Sequence, residues 1–301
     1  MTSANTIHLD LLGAETRYYT TTNHVTRCIE VVNDKVPLLL LHGGGGHAET
    51  YSRNLNSLAS VCRPMAIDFI WHGRSSSPPF AEGNANDEVH WLRQFTLQVI
   101  DFLDHHGFDS AVIEGESLGG WVALDMAINF PDRTAGVILN TAWGIALDPE
   151  KAPEGAADLD ALRETSLNAL ESLSDDTLRK RLEWLMPLGG VTEELVQLRK
   201  QLWAGEPTRT SLKEYYLRLF SPDIHTYYFD EDSISQIKCP TLVLWTDKNP
   251  IHGPEAARRL YEIIDGSDMH IMEGCAHWPQ WERPDEHDQV VREFITNRIP
   301  N

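Results

Sequence analysis

The stretch AVIEGESLGGWVALDMAINF, residues 111–130, decides the fold of this chain. Residues 111–114 predict a short buried strand, and the apolar-rich segment from Trp121 onward predicts a helix. Between them GESLGG places Ser117 in a G-x-S-x-G turn, where small neighbours relieve the crowding of a sharp strand-to-helix bend. Such a bend presents a serine at the carboxyl end of its strand. A glycine-lined helix N-cap is the alternative interpretation, because serine favours that position too.

Short apolar strands that stop at a turn or loop recur along the chain. PLLLL, residues 37–41, runs into HGGGG, and residues 89–105 have apolar side chains at helical spacing. Further strands are predicted at residues 65–67 and in GVILNTA (136–142), TLVLWTD (241–247) and MHIMEG (269–274). Strands that alternate with helices over the whole length predict an α/β fold, a mostly parallel central sheet flanked by helices on both faces.

One block interrupts this alternation. Residues 147–237 contain four helical patterns and no convincing strand. A helical block between two core strands predicts a cap, or lid, inserted at the strand ends. The predicted organisation is therefore a core domain of residues 1–146 and 238–301 with a helical cap of residues 147–237.

Charge and composition exclude several partner classes. The formal net charge is −20 and the pI near 4.9, which disfavours nucleic acid and anionic membranes because both require a basic face. The first residues, MTSANTIHLDLLG, lack the pattern of a signal peptide, and no apolar run approaches the ~20 residues that span a bilayer. The four cysteines are scattered, as is typical of free thiols in a reducing compartment. These features predict a cytoplasmic protein; a homo-oligomer, dimer or higher, is compatible with them.

Two further residues complete a candidate catalytic triad. In open α/β sheets, ligands bind outside the carboxyl ends of the strands. Asp247 follows the strand of TLVLWTD, before the turn at Asn249-Pro250, and His277 lies in the loop after the next strand. The chain order serine, acid, histidine is that of a nucleophile-elbow hydrolase. We therefore predict that Asp247 orients the His277 imidazole and that His277 takes the proton of Ser117.

The glycine cluster HGGGG, residues 42–46, predicts an oxyanion hole. Glycines let backbone N–H groups approach a developing negative charge, and the predicted donors are the amides of Gly43 or Gly44 and of Leu118. His42 is predicted either to orient this loop or to contact substrate. A phosphate-binding loop is the rival, but neither a following Lys-Ser/Thr nor G-x-G-x-x-G is present. No cofactor is predicted, and no metal, because the histidines lack metal-site spacing.

Taken in order, HGGGG, DFIWHGRS, GESLGG, LWTD and GCAHW resemble the motifs of the α/β-hydrolase superfamily over nearly the whole chain. The ending GCAHWPQWERPDEHDQVVREFI resembles the histidine motif of the meta-cleavage product hydrolases. Those are cofactor-independent serine enzymes that cleave a carbon–carbon bond in vinylogous 1,5-diketones from aromatic-ring degradation. The resemblance implies a small, aromatic-derived substrate.

The resemblance also implies substrate contacts. It places Trp278 where the family's tryptophan meets the substrate carboxylate, and the similarity of VTEELVQLRK (191–200) to a family segment makes Arg199 a candidate carboxylate ligand. The alternative is that Arg199 lies on the exposed face of a cap helix. Glu116 stands where the family usually has asparagine, and we predict that it lines the pocket and tunes substrate choice and pH response.

The sequence therefore predicts a Ser-His-Asp hydrolase that acts on a carbon–carbon bond of a meta-cleavage product. A carboxylesterase or lactonase on the same fold is the alternative, since a serine triad does not reveal its acyl group. A cofactor-free oxygenase on this fold and a non-catalytic ligand receptor on a hydrolase scaffold are more distant interpretations. An intact serine, acid and histidine argue against the receptor.

Overall fold

The chain folds around one large β-sheet. The structure, a computed structural model, describes residues 6–150 and 159–300. Eight strands form the main sheet in the order β1-β2-β4-β3-β5-β6-β9-β10, and β7 pairs with β8 in a small second sheet. The strands are β1 (Glu15–Thr20), β2 (Val25–Glu30), β3 (Pro37–Leu41), β4 (Arg63–Ile67), β5 (Ala111–Glu116), β6 (Thr134–Asn140), β7 (Ile145–Ala146), β8 (Phe229–Asp230), β9 (Thr241–Thr246) and β10 (Asp268–Met272).

Most strand pairs of the main sheet are parallel. From β4 to β10 each neighbour pair runs in the same direction, whereas β2 is antiparallel to both β1 and β4. The carboxyl ends of β3, β5, β6, β9 and β10 therefore lie along one edge. This topology confirms the predicted α/β fold, and the loops after those strands meet at that edge.

The central strands are apolar because both faces of the sheet are covered. Along β3, Leu39 and Leu41 pack into one core cluster, and Leu38 and Leu40 pack into the cluster on the opposite face. Both clusters consist of residues buried from solvent. A continuous apolar run, rather than an alternating one, is the pattern expected of such a strand, and it is why PLLLL could be recognised.

Helices cover the sheet and its carboxyl edge. They are α1 (Ile7–Asp10), α2 (Leu55–Leu58), α3 (Arg93–His106), α4 (Leu118–Asn129), α5 (Leu159–Ser172), α6 (Asp175–Leu185), α7 (Glu193–Ala204), α8 (Thr208–Leu219), α9 (Glu231–Ile234), α10 (Pro254–Ile263), α11 (Pro279–Glu282) and α12 (Pro284–Arg298). Single 3₁₀ turns occupy Ala48–Tyr51, Pro131–Arg133 and Ile224–Tyr227. Within the described ranges, no helix is long and apolar enough to cross a membrane.

The predicted cap region is almost entirely helical, with α5 to α8 following one another between β7 and β8. The sequence missed the two-residue strand β8, which lies inside the predicted cap and pairs with Ile145 and Ala146 just before it. Residues 151–158 of the predicted cap lie outside the described residues. The boundaries at 147 and 237 remain a prediction.

Candidate active site

Ser117 occupies a strained turn between β5 and α4. Its backbone has φ 52° and ψ −111°, a left-handed conformation that side-chain-bearing residues rarely adopt. A Cβ at Gly115 would stand 1.9 Å from the Gly119 carbonyl oxygen, and a Cβ at Gly119 would stand 2.2 Å from the Leu41 carbonyl oxygen. Both glycines of G-x-S-x-G are therefore required sterically. The turn has the geometry of a nucleophile elbow rather than that of an ordinary N-cap, because the Ser117 side chain makes no capping hydrogen bond.

Neighbouring backbone fixes this elbow. The Ser117 amide donates to the Asn140 carbonyl at 3.1 Å, and the Ser117 carbonyl accepts from the amides of Gly120 at 2.9 Å and Trp143 at 3.0 Å. Leu118 begins α4, so its amide has no carbonyl one turn earlier to bond. The partial positive charge of a helix N-terminus is thus placed beside the serine.

His277 is held from several sides through its backbone. Its amide donates to the Leu185 carbonyl of α6 at 3.2 Å, and its carbonyl accepts from Thr141 Oγ1 at 2.9 Å. The Glu282 carboxylate accepts from the amides on either side of it, Ala276 at 3.0 Å and Trp278 at 2.9 Å. The loop that carries the imidazole is therefore fixed by β6, the cap and α11 together.

The imidazole of His277 is oriented by Asn249, which corrects the sequence-based prediction. Nδ1 of His277 lies 2.9 Å from Asn249 Oδ1, and that oxygen also accepts from the Ile251 amide at 3.1 Å. An amide oxygen can only accept, so Nδ1 carries the hydrogen and Nε2 is left as the basic nitrogen. This is the tautomer that a serine general base requires.

Asp247, the predicted acid, is engaged elsewhere. Its Oδ1 accepts from the amides of Gly274 at 2.7 Å and Cys275 at 3.3 Å, and its Oδ2 pairs with Lys248 Nζ at 3.1 Å. These contacts hold the start of the histidine loop. The prediction that Asp247 orients His277 is wrong in this structure, because the turn after β9 brings the residue two positions later to the imidazole.

Burial keeps His277 neutral. Desolvation, followed by the charges of Arg181 and His252, lowers the pKa of His277 to about 3. An asparagine partner adds no negative charge to oppose this shift. The resting imidazole is consequently an unprotonated base at neutral pH.

Glu116 lies against the same imidazole. Its Oε1 is 3.3 Å from His277 Nε2, and a Cβ at Gly43 would stand 2.5 Å from its Oε2. The carboxyl group is 0% exposed, and neither oxygen has a hydrogen-bond partner among the described residues. Burial raises the pKa of Glu116 to about 8, although the Gly43 amide, Arg181 and Arg199 oppose the shift. Glu116 is therefore mainly a neutral carboxylic acid at pH 7.

A cavity of about 240 Å³ opens at this edge of the sheet, beneath the cap helices. The loop after β3, the elbow and the histidine loop form its floor, and α5, α6 and α8 contribute walls. More than half of its lining is apolar, which suits a largely hydrocarbon ligand with few polar groups. Its lining residues other than the aliphatic ones and Phe220 are Gly43, Gly44, Glu116, Ser117, Trp143, Asp160, Arg163, Arg181, Tyr215, Tyr216, Ser221, Tyr228, His277 and Trp278.

The glycine loop is packed against the cap. A Cβ at Gly44 would stand 2.4 Å from the Tyr215 hydroxyl, and one at Gly45 would stand 2.0 Å from the Tyr216 hydroxyl. Gly43 and Gly44 line the cavity, as an oxyanion hole would require, but that role remains a prediction. The glycines also have a packing purpose that the sequence did not reveal, since they admit two cap tyrosines.

His42 supports this loop from below. Its Nε2 accepts from the Phe69 amide at 3.1 Å, so Nδ1 carries the hydrogen and donates to the Gly43 carbonyl at 2.7 Å. Burial lowers the pKa of His42, which keeps the ring neutral. Both ring nitrogens are satisfied and His42 does not line the cavity. Orientation of the loop, rather than substrate contact, is the role that this geometry allows.

Two arginines of the cap helices are buried near the cavity, and no described residue forms a salt bridge with either of them. Arg199 is 1% exposed, so the alternative that it lies on an exposed helix face is wrong. It lies beside Trp278, with its guanidinium carbon 5.5 Å from that ring's centroid, and not among the lining residues. Arg181, 4% exposed, does line the cavity. Each has two guanidinium nitrogens without a hydrogen-bond partner in the described ranges.

Within residues 6–150 and 159–300, no cluster of three or more histidine, cysteine, aspartate or glutamate side chains could hold a metal ion. The polar groups at the floor and wall of the cavity include the Ser117 hydroxyl, the neutral His277 imidazole, the Glu116 carboxylic acid and the Arg181 guanidinium. These are groups for nucleophilic and acid–base chemistry.

A scan against family models matches residues 38–289 to the alpha/beta hydrolase family. The chain belongs to the alpha/beta hydrolase family. The matched range contains Ser117, His277 and helices α5 to α8, and the match shows that this protein is a hydrolase.

The most similar curated proteins include hydrolases of one substrate class. The 2-hydroxy-6-oxononadienedioate/2-hydroxy-6-oxononatrienedioate hydrolase of Burkholderia vietnamiensis is 27% identical over 267 residues, covering 86% of each chain. The 2-hydroxy-6-oxo-6-phenylhexa-2,4-dienoate hydrolase of Comamonas testosteroni is 26% identical over 273 residues, 87% of this chain and 88% of the relative. The predicted resemblance to meta-cleavage product hydrolases is confirmed.

The fold of this hydrolase also matches a solved structure. The 2-hydroxy-6-oxo-6-phenylhexa-2,4-dienoate hydrolase from Rhodococcus sp. strain RHA1 superposes with a TM-score of 0.79 at 19% identity, covering 94% of this chain and 99% of that one. At this level of identity the match shows the fold alone.

Sequence reasoning missed Asn249, Arg181 and Tyr215. Asn249 stands in the turn after β9, and the signal that could have found it is its place beyond a strand end. Arg181 falls on the apolar face of α6, since Leu178, Leu182 and Leu185 of that helix are all buried. A charged residue on a core-facing stripe is a detectable departure from amphipathic pattern.

Proposed function

We propose that this hydrolase cleaves a carbon–carbon bond of a 2-hydroxy-6-oxo-dienoate, a product of aromatic-ring fission. The observation that carries the proposal is a mainly apolar, capped cavity lined by Ser117, His277 and the buried Arg181 guanidinium, two of whose nitrogens have no hydrogen-bond partner among the described residues. The names of the relatives supply the substrate class. An elongated apolar dienoate with a carboxylate at one end has the chemistry that this lining accommodates.

The proposed catalytic set is Ser117, His277 and Asn249. His277 Nε2 takes the serine proton, because the contact with Asn249 fixes the hydrogen on Nδ1. The serine oxygen attacks the C6 carbonyl of the substrate. The amide of Leu118 and that of Gly43 or Gly44 are the proposed donors to the carbonyl oxygen as it gains electron density during attack. Asn249 takes the position that an acid occupies in a Ser-His-Asp triad.

Arg181 is the proposed ligand of the substrate carboxylate. It is on the cavity wall, its Nε and Nη1 have no hydrogen-bond partner in the described part of the chain, and a buried cation without an anion is costly. A substrate carboxylate would satisfy it with charge-assisted bonds. Trp278 lines the cavity next to His277, while Arg199 adds positive potential from beside Trp278.

The test of substrate class is a panel of ring-fission dienoates, lactones and p-nitrophenyl esters. We expect the yellow colour of a 2-hydroxy-6-oxo-dienoate to bleach with turnover, since cleavage shortens the conjugated system. Product analysis should show release of the acid that carries the former C6 carbonyl. Rapid ester or lactone turnover without bleaching would contradict the proposal and favour the esterase or lactonase alternative.

Replacing Arg181 with methionine should raise KM for a dienoate about 10- to 100-fold, because a hydrogen bond to a charged group contributes about 1.5–3 kcal/mol. KM for a neutral ester should change little. Arg179→Met is the matched control, since Arg179 is on the same helix but pairs with Glu193 and does not line the cavity. Steady-state kinetics of both variants give KM for the dienoate and for the neutral ester. An equal rise of KM for charged and neutral substrates would contradict a carboxylate contact.

A further inference from the structure

We propose that Glu116 is a catalytic general acid, which protonates the substrate oxygen while His277 deprotonates Ser117. This inference rests on serine attack as set out in the proposed function, and it adds a proton donor that a Ser-His-Asp triad lacks. The sequence predicted only that Glu116 lines the pocket and tunes substrate choice and pH response. The inference gives Glu116 a chemical step in the reaction.

The position of the carboxyl group is the first support. One oxygen, Oε1, is 3.3 Å from His277 Nε2, and the other, Oε2, lies against the Cα of Gly43 beside Ser117. The same carboxyl group therefore approaches both the His277 imidazole and Gly43, a proposed donor to the substrate oxygen. Because Nδ1 of His277 holds the ring hydrogen, Nε2 can accept from Glu116 only if the carboxyl is protonated.

The surroundings of the group are the second support. Glu116 lines the cavity with both oxygens buried, and beyond the approach of Oε1 to His277 Nε2 and of the carboxyl group to the Gly43 amide it has no hydrogen-bond partner among the described residues. A structural glutamate at such depth is normally paired, because an isolated carboxylate is costly to bury. A carboxylic acid that waits for a ligand oxygen explains the missing partners.

Burial also favours the form that can donate, since it raises the pKa of Glu116 to about 8. The titratable or charged groups that face it come from β5, the cap helices, the histidine loop and the turn after β3. They are Glu114, Arg181, Arg199, Tyr215, His277 and Tyr51. The arginines favour the carboxylate that forms during reaction, and desolvation favours the acid at rest.

The proton balance of the step is complete. A bond forms between Ser117 Oγ and the substrate carbonyl carbon; the serine proton moves to His277 Nε2, and the Glu116 proton moves to the carbonyl oxygen. The products are a neutral tetrahedral adduct, an imidazolium and a carboxylate. When the adduct collapses, the imidazolium proton goes to the leaving carbon and the hydroxyl proton returns to Glu116.

This arrangement compensates for Asn249. In a Ser-His-Asp triad the acid stabilises the imidazolium from the Nδ1 side. Here that side meets a neutral amide, and the carboxylate produced on Glu116 forms on the Nε2 side instead. The positive charge on His277 and the negative charge on Glu116 thus form on two adjacent side chains.

The test compares Glu116→Gln with wild type over pH 5–10. Two readouts are kcat/KM for a ring-fission dienoate and the rate at which a fluorophosphonate modifies Ser117. In wild type both should fall as pH rises through about 8, because the acid form is the active one. In Glu116→Gln both should be about 10²-fold lower at pH 7, the usual size of general-acid catalysis, without that alkaline fall.

Glu116→Asp is the conservative variant, and it should restore an alkaline fall although its shorter side chain lowers the rate. A thermal melt checks that each variant is folded, and if Glu116→Gln does not fold, the wild-type and Glu116→Asp profiles decide. An unchanged rate and profile in folded Glu116→Gln, or a wild-type rate that stays level above pH 8, would overturn the role of Glu116.

The same data separate this inference from the substrate proposal. Bleaching by wild type together with an unaffected Glu116→Gln rejects the general acid and keeps the function. Absence of bleaching, with labelling that loses its alkaline fall in Glu116→Gln, keeps the general acid and rejects the substrate. A wild type that fluorophosphonate does not label at any pH overturns both.

Discussion

Replacing Ser117 with alanine is expected to lower kcat at least about 10⁴-fold, because loss of a serine nucleophile removes the covalent route and leaves only binding and oxyanion stabilisation. The fold should persist. The elbow is held by backbone bonds of residue 117, and the side chain makes no capping hydrogen bond that alanine would lose.

Dienoate bleaching and fluorophosphonate labelling followed by mass spectrometry measure this effect. Ser110→Ala is a matched control: Ser110 directly precedes β5, at the opposite end of the strand from Ser117, and should keep wild-type rates. Both variants should melt within a few degrees of wild type. Wild-type turnover by a folded Ser117→Ala protein would refute the nucleophile and would reopen the oxygenase interpretation.

Asn249→Ala should lower kcat by about 10²- to 10⁴-fold, since a serine-hydrolase histidine that loses the partner of its Nδ1 adopts the wrong tautomer. Asn249 Oδ1 is the acceptor that holds the hydrogen on Nδ1, at 2.9 Å. Asn249→Asp keeps an acceptor there and adds a negative charge next to the developing imidazolium. We expect it to retain activity and to raise the pKa of His277.

Asp247→Asn distinguishes this arrangement from the one predicted from the sequence. An asparagine Oδ1 can still accept from the Gly274 and Cys275 amides, so the loop should survive and kcat should stay within about fivefold of wild type. Steady-state kinetics of the three variants, measured at one pH, provide the comparison. A large loss in Asp247→Asn with little change in Asn249→Ala would restore Asp247 as the partner of His277.

The fold was predictable because its signals are local and redundant. PLLLL is a continuous apolar strand and AVIEGE is a fully buried one, and each is followed by a glycine-rich turn. Such buried strands predict a parallel sheet covered on both faces, which is the sheet observed. The helical cap followed from amphipathic spacing. The strand β8 was not predictable, because a strand of two residues is too short to show a periodic pattern. It is stabilised by pairing with β7.

That Ser117 and His277 face one cavity was predictable from the sequence, whereas the contacts between side chains there were not. Asp247 and Asn249 both follow β9, and chemical expectation favours a carboxylate over an amide. The path of the turn decides which one reaches the imidazole, and no propensity encodes that path. In the same way, Glu116 could be placed next to the serine, but its approach to His277 depends on a loop 160 residues later in the chain.

The contact between the His277 amide and the Leu185 carbonyl has a consequence for engineering. Helix α6, which lines the cavity, also supports the backbone of His277, the proposed general base, and Tyr215 and Tyr216 of α8 pack on the glycine loop. Grafting a foreign cap onto this core, as one would to change specificity, therefore risks displacing the base. A functional chimera must preserve the main-chain path at position 185, and it must keep glycine at positions 44 and 45 wherever the new cap packs as closely as this one.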